Sequence, residues 1–99
     1  MIIKLSPFSP IDPAQKITLE RRGEALVING ECFDFGPVPE GATLPMEAIL
    51  SEWIAQPVSR VDGRLIICIR LPVGPDASAS ALYPADIFNP PSGNVRLPQ

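Results

Sequence analysis

Two dipeptides, Asn29-Gly30 and Asp62-Gly63, each lie beside runs of apolar residues and mark sharp reversals of the chain. A two-residue type I′ turn requires a positive φ at both central positions, which Asn, Asp and Gly adopt at low cost. The twist of this turn matches that of the strands it joins. The two dipeptides therefore predict two β-hairpins within a small, β-rich domain.

The first turn fixes the register of the strands on either side of it. With a two-residue loop, Ile28 lies opposite Glu31 and Val27 lies opposite Cys32. One face of this hairpin then carries the predicted core residues Leu26, Ile28, Phe33 and Phe35. Upstream, period-2 alternation predicts a strand at residues 16–20 with Ile17 and Leu19 pointing inward, so that residues 16–35 form a three-stranded meander.

The second hairpin is predicted at residues 54–61 and 64–71, and both of its faces are apolar. The face that we expect to be buried carries Ile54, Val58, Leu65, Ile67, Ile69 and Leu71. The opposite face carries Ala55, Val61, Ile66 and Cys68 beside Ser59, Arg64 and Arg70. This second face is too apolar for an ordinary surface. We expect a helix, the C-terminal segment or another subunit to cover it.

The remaining elements are predicted to be short. Residues 1–5 form a strand, residues 6–14 an extended loop with a proline at every third position, and residues 36–45 a turn-rich loop. Residues 45–53 are the helical candidate, whose apolar stripe consists of Met46, Ile49, Leu50 and Trp53. Residues 76–81 are predicted as a mobile loop. Residues 86–88 and 94–97 are predicted as strands that can pair as a last hairpin.

Length and composition set the scale of the fold. A chain of 99 residues, 45% hydrophobic and 19% charged, can build one globular core but not two. We therefore predict a single domain over residues 1–99. Its class is mainly β, a small antiparallel β-meander or sandwich-like domain of about six to eight short strands with at most one short helix.

Charge and hydropathy exclude several kinds of partner. The net charge is −3, and the eight Lys and Arg residues are scattered, so no nucleic-acid partner is predicted. No apolar run approaches the roughly 18 residues of a membrane span, so no membrane partner is predicted. Pro7 and Pro10 follow the N-terminus too soon for the apolar region of a signal peptide. We expect a protein that is cytoplasmic when synthesised.

The chain has no histidine and two cysteines, Cys32 and Cys68. Both cysteines are predicted to be free, buried thiols, and a disulfide between them requires neighbouring strands. Two distant cysteines without histidine do not favour a metal site. The glycine-rich string at residues 36–41 is not followed by Lys-Ser or Lys-Thr, so no phosphate-binding loop and no cofactor are predicted.

The absence of histidine also favours a non-enzymatic role. The catalytic alternative is a carboxylate-dependent hydrolase, for which the acidic residues are Glu31, Asp34, Glu40, Glu47 and Glu52. These residues fall on three different predicted elements, so we interpret them as solvated or capping charges. Of these, Glu31, Asp34 and Glu47 are the trio whose joint replacement would test catalysis.

Contacts with other proteins are the remaining function class. The candidate interface residues are Val61, Ile66, Cys68 and Trp53. We interpret Trp53 first as a core residue with Tyr83 and Phe88 as neighbours, and an interface role is its alternative. The partner is a second copy or another protein. An adaptor that binds an extended peptide at a sheet edge is the alternative binding function.

A set of short strings in the central half of the chain resembles a group of small uncharacterised proteins encoded near tail genes in tailed-phage and prophage genomes. The strings are Ile28-Asn29-Gly30-Glu31, Phe33-Asp34-Phe35, Gly41-Ala42-Thr43-Leu44-Pro45, Glu47-Ala48-Ile49, Ser51-Glu52-Trp53, Asp62-Gly63 and Leu71-Pro72-Val73-Gly74-Pro75. The resemblance implies a virion-associated or assembly role and no active site.

Overall fold

The structure is built from strands that form two sheets. The computed structural model describes residues 1–12, 15–49, 51–74 and 77–97. Over these residues the strands are β1 (Ile2–Phe8), β2 (Leu19–Arg22), β3 (Ala25–Ile28), β4 (Glu31–Asp34), β5 (Thr43–Leu44), β6 (Val58–Val61), β7 (Arg64–Pro72), β8 (Ile87–Phe88) and β9 (Gly93–Asn94). The five-stranded sheet has the order β5-β6-β7-β1-β8, and the four-stranded sheet has the order β4-β3-β2-β9. The predicted mainly β class is confirmed.

Both predicted hairpins form, and the strands have the predicted register on either side of each turn. Ile28 lies opposite Glu31 between β3 and β4, and Val61 lies opposite Arg64 between β6 and β7. All four turn residues have a positive φ, which is 50° at Asn29, 85° at Gly30, 52° at Asp62 and 76° at Gly63. The dipeptides thus produce the turns because they tolerate the left-handed region of φ.

The core lies between the two sheets and takes side chains from both. The large side chains that are most completely buried are Ile3, Leu26, Ile28, Phe35, Ile54, Val58, Ile67 and Ile69. Leu19, Leu65 and Leu71 are also buried, and Ile17 and Phe33 are half-buried against the core. The inward faces predicted for both hairpins are therefore confirmed.

The longest strand pairing is parallel, which the sequence did not predict. β1 lies beside β7 with Ile2 opposite Ile66 and Phe8 opposite Pro72. β1 is also longer than the predicted strand at residues 1–5, since Ser6, Pro7 and Phe8 belong to it. β8 pairs with β1 only at Ile2 and Ile3. At Pro7 no strand of the described residues therefore lies on the β8 side of β1, and none there requires the N–H that proline lacks. Of the proline loop, Pro10 lies after the strand, and Pro13 lies outside the described residues.

The boundaries of two other predicted strands shift. β2 begins at Leu19, later than the predicted residue 16, because Thr18 donates its N–H to the side-chain oxygen of Asn29 at 2.7 Å. β6 begins at Val58, not at residue 54, because Pro57 supplies no N–H for a continuous ladder. Ile54 still forms a single bridge with Ile69.

The predicted helix at residues 45–53 is wrong. Only Met46–Ala48 form a 3-10 helix, and Pro45 and Ile49 on either side are extended. β5 immediately before this segment pairs with β6, and the carbonyl of Trp53 at its end accepts a hydrogen bond from the N–H of Arg70 at 2.8 Å. Sheet pairing at both ends outweighs the propensity of a helix this short. Ile49 and Trp53 are buried, Met46 is exposed, and Leu50 lies outside the described residues.

The C-terminal region also differs from the prediction. β8 and β9 do not pair with each other, because β8 adds to β1 in one sheet and β9 adds to β2 in the other. Between them, Asn89 has a φ of 46°, and Pro90 and Pro91 cannot donate to a ladder. The predicted loop at residues 76–81 contains the start of a helical turn, α1 (Ala79–Leu82), and Asp76 lies outside the described residues. No helix formed by the described residues is long and apolar enough to cross a bilayer.

Arg60 links the two sheets beside the core. Its side chain is 12% exposed, and its guanidinium donates to the carboxylate of Glu24 at 2.7 Å and to the carbonyl of Val38 at 2.7 Å. It also donates to the carbonyls of Gly36 and Gly63, each at 3.4 Å. Arg60 belongs to β6, whereas Glu24 lies in the turn between β2 and β3. The ion pair therefore spans the interval between the sheets.

Candidate interaction surfaces

One row of residues crosses the outer face of the five-stranded sheet. Ser59 lies opposite Ile66, Ile66 opposite Ile2, and Ile2 opposite Phe88. The neighbouring Ile3 and Ile67 are fully buried in the core, so the alternation of strand side chains directs this row outward. Phe88 is 65% exposed, and Ile2 and Ile66 are half-buried.

Val61 lies on the same outer face, beside this row. It belongs to the same face of β6 as Ser59 and is 49% exposed. We call Ile2, Val61, Ile66 and Phe88 the outer patch. Among the described residues, the helix predicted to cover it does not form, and the C-terminal strands β8 and β9 join sheet edges. Two of its members, Ile2 and Phe88, were missed as interface candidates because the strand pairings that place them here join the two ends of the chain.

Cys68 lies on the same face as Ile66 but is only 7% exposed. Burial raises the pKa of the Cys68 thiol, Lys4 opposes this shift, and Asp86 adds to it. A thiol with a raised pKa is a poor nucleophile at neutral pH. Cys68 therefore contributes packing beneath the surface rather than an exposed contact.

The prediction that both cysteines are buried is wrong for Cys32. Cys32 is exposed because it lies on the edge strand β4 and points away from the face that carries Phe33. Cys32 and Cys68 belong to different sheets, and both thiols are free.

Trp53, the fourth candidate interface residue, belongs to the core. It is 9% exposed, and its ring packs against Phe8 with centroids 6.3 Å apart and planes inclined by 57°. The guanidinium of Arg70 lies over the ring of Phe8, 4.2 Å from its centroid. The neighbours predicted for Trp53 do not pack as expected, because Tyr83 and Phe88 are 84% and 65% exposed.

The acidic residues are distributed over the surface. All five, Glu31, Asp34, Glu40, Glu47 and Glu52, are exposed. Asp34 accepts a hydrogen bond from the N–H of Gly36 at 2.9 Å, and Glu40 accepts one from the N–H of Gly63 at 2.8 Å. Glu31 and Asp34 lie on opposite faces of β4, since they are an odd number of residues apart in one strand. Within the described ranges, no group of three or more Cys, Asp and Glu side chains is placed to hold a metal ion.

Two hollows lie along the free edge of β4. At one end, a hollow of about 350 Å³ lies between Ile28, Asn29, Glu31 and Phe33 on one side and Ser51, Glu52 and Trp53 on the other. At the other end, a hollow of about 290 Å³ is lined by Asp34, Pro37, Val38, Pro39, Ala42, Thr43 and Leu44. We call the β4 edge and these two hollows the β4 seam.

Comparison of the chain with known protein families, with curated proteins and with solved structures found no match. The resemblance to tail-associated phage proteins therefore stays a prediction.

Proposed function

We propose that this chain is a non-enzymatic structural or assembly protein that acts through protein–protein contacts, and that the outer patch makes the first of these contacts. The phage-tail setting of this proposal rests on the resemblance of the central strings. The observation that supports a contact role is the outer patch itself, with Phe88 and Val61 at 65% and 49% exposure beside Ile2 and Ile66.

The energetics of the outer patch favour association. Burial of an exposed Phe, Ile or Val side chain contributes roughly 1.5–3 kcal/mol. Aromatic residues near the centre of a contact contribute most to affinity. Phe88 stands on β8, a two-residue edge strand, so a partner can approach its ring without displacing a covering element.

Self-association is tested first, by light scattering on a size-exclusion column across a dilution series. We expect wild-type protein to form a concentration-dependent oligomer through the outer patch. Phe88→Glu should weaken its association by about thirtyfold, because a buried charge replaces an apolar anchor. Tyr83→Glu is the matched control, since Tyr83 is an exposed aromatic residue outside the outer patch.

The two variants separate the alternatives. An oligomer that Tyr83→Glu disrupts and Phe88→Glu leaves intact would contradict a role for the outer patch. A wild-type monomer at every concentration would contradict self-assembly and leave a different assembly component as the partner. Circular dichroism of each variant shows whether the fold is kept.

A further inference from the structure

We propose that the β4 seam binds an extended segment of a partner protein that carries basic side chains, and that this segment adds to β4 as a further strand of the four-stranded sheet. This site is separate from the outer patch. It therefore stands or fails independently of the proposed function.

The first observation is the open edge. β4 pairs with β3 on one side and ends the four-stranded sheet on the other. It is four residues long, its register with β3 is continuous, and it contains neither Lys nor Pro, the residues that commonly protect an edge. By contrast, β5, β8 and β9, the other edge strands in the described part of the chain, have two residues each.

The second observation is the direction of the backbone groups of β4. The N–H of Phe35 donates to the carbonyl of Glu24 at 3.1 Å, which makes these two residues a hydrogen-bonded pair. Because such pairs alternate along an antiparallel ladder, Phe33 and Glu31 also bond to β3. The N–H and C=O groups of Cys32 and Asp34 therefore point away from β3, toward an incoming strand.

The third observation is the shape and charge of the seam. Ile28, Phe33 and Trp53 form the apolar part of the lining of the first hollow beside the edge, so alternate side chains of an added strand have apolar residues to contact. Glu31, Asp34 and Glu52 are exposed at the two hollows, and no lining residue among those described is Lys or Arg. This charge favours a basic segment.

The same charge argues against a second copy as the occupant. A second copy that paired through its own β4 would add another Glu31 and Asp34 to an edge that already carries these two carboxylates. Like charges across a strand pair are destabilising. Basic side chains on a different protein meet no such repulsion.

The test begins with a yeast-displayed library of random linear peptides, selected on immobilised wild-type protein. We expect enrichment of sequences that alternate apolar and basic residues. Synthetic copies of the enriched peptides are then titrated against the protein in solution. The fluorescence of Trp53, the single tryptophan of the chain, reports binding because this residue lines the first hollow.

One pair of variants tests the backbone pairing. Cys32→Pro removes the outward N–H and leaves the bonds from Phe33 and Glu31 to β3 in place. It should weaken peptide binding by about tenfold or more. Cys32→Ala is the matched control, because it removes the same side chain but keeps the N–H, and it should bind as wild type does.

A second set tests charge and does not depend on whether Cys32→Pro folds. Glu31→Lys and Glu52→Lys should each weaken binding of the enriched peptides, and higher salt should reduce the difference. Glu47→Lys makes the same charge change at an exposed residue that does not line either hollow. It should leave binding unchanged, as should Phe88→Glu.

Several results would overturn the proposal. They are a selection that enriches no sequence, enrichment of acidic peptides, equal binding by wild type and a folded Cys32→Pro protein, and equal effects of Glu31→Lys and Glu47→Lys. A wild-type dimer that dissociates on Cys32→Pro substitution would assign the edge to a second copy instead.

Discussion

The two cysteines show how the position of a single residue decides its chemistry. Cys68 is buried in the central strand β7, where burial raises the pKa of its thiol. Cys32 is exposed on the edge strand β4. The thiolate is the nucleophilic form, so exposure favours reaction at Cys32, whereas burial and the raised pKa disfavour reaction at Cys68.

Alkylation should therefore separate the two thiols. We expect iodoacetamide at neutral pH to modify Cys32 in the folded protein, and to modify Cys68 only after unfolding in urea. Mass spectrometry of proteolytic peptides identifies the modified site. Similar rates at the two cysteines in the folded state would contradict the burial of Cys68.

The same burial has a consequence for stability at alkaline pH. The pKa of Cys68 is higher in the folded than in the unfolded state, so its contribution is fully present below the unfolded pKa. This contribution is lost as the pH rises through the folded pKa, because the unfolded thiol ionises first. Urea titrations across this range should show a smaller alkaline loss for Cys68→Ala than for wild type.

At the scale of elements, each hairpin depends on a turn backbone that few residues adopt. Gly63 has a φ of 76° and no heavy atom within 4 Å of where a Cβ would lie. Its replacement by alanine therefore creates no clash, and the cost comes from the backbone alone. That cost is about 1–2 kcal/mol for an L-residue in the left-handed region.

Gly63→Ala should lower the free energy of unfolding by about this amount, measured by urea titration. Gly63→Asn should lose less, because Asn enters the left-handed region more readily. Gly74→Ala is the matched control, since Gly74 also has open space around it but lacks a positive φ in that region. A loss at Gly74 as large as that at Gly63 would contradict the turn argument.

The elements also show which kinds of structure the sequence predicts well. Both hairpins were predicted because the signal for each, Asn29-Gly30 or Asp62-Gly63, lies beside the strands that it joins. The helix predicted at residues 45–53 does not form, because its local pattern competes with pairing partners on β6 and β7. Local residues determine the turns, whereas pairing with distant strands determines the conformation of residues 45–53.

At the scale of the molecule, the pairings that complete the sheets join distant parts of the chain. β1 pairs with both β7 and β8, and no local pattern encodes those registers. For the same reason, Val61 and Ile66 were predicted as interface candidates from one hairpin, whereas Ile2 and Phe88 were not. The β4 seam was missed as well, because its second wall comes from residues 51–53 rather than from the hairpin itself.

Arg60 gives a test of whether the two sheets behave as one domain. Arg60→Met keeps much of the side-chain length but leaves the Val38 carbonyl and the Glu24 carboxylate without their donor. It should lower the free energy of unfolding by about 2–3 kcal/mol. Arg64→Met is the matched control, because Arg64 is exposed at the adjacent turn and should change stability by no more than about 0.5 kcal/mol.

Hydrogen exchange measured by mass spectrometry distinguishes local from global loss in these variants. Because side chains of both sheets form one core, peptides from β2–β4 and from β6–β7 should lose protection together in Arg60→Met. Loss confined to β6–β7 would mean that the sheets open separately, which contradicts a single cooperative domain.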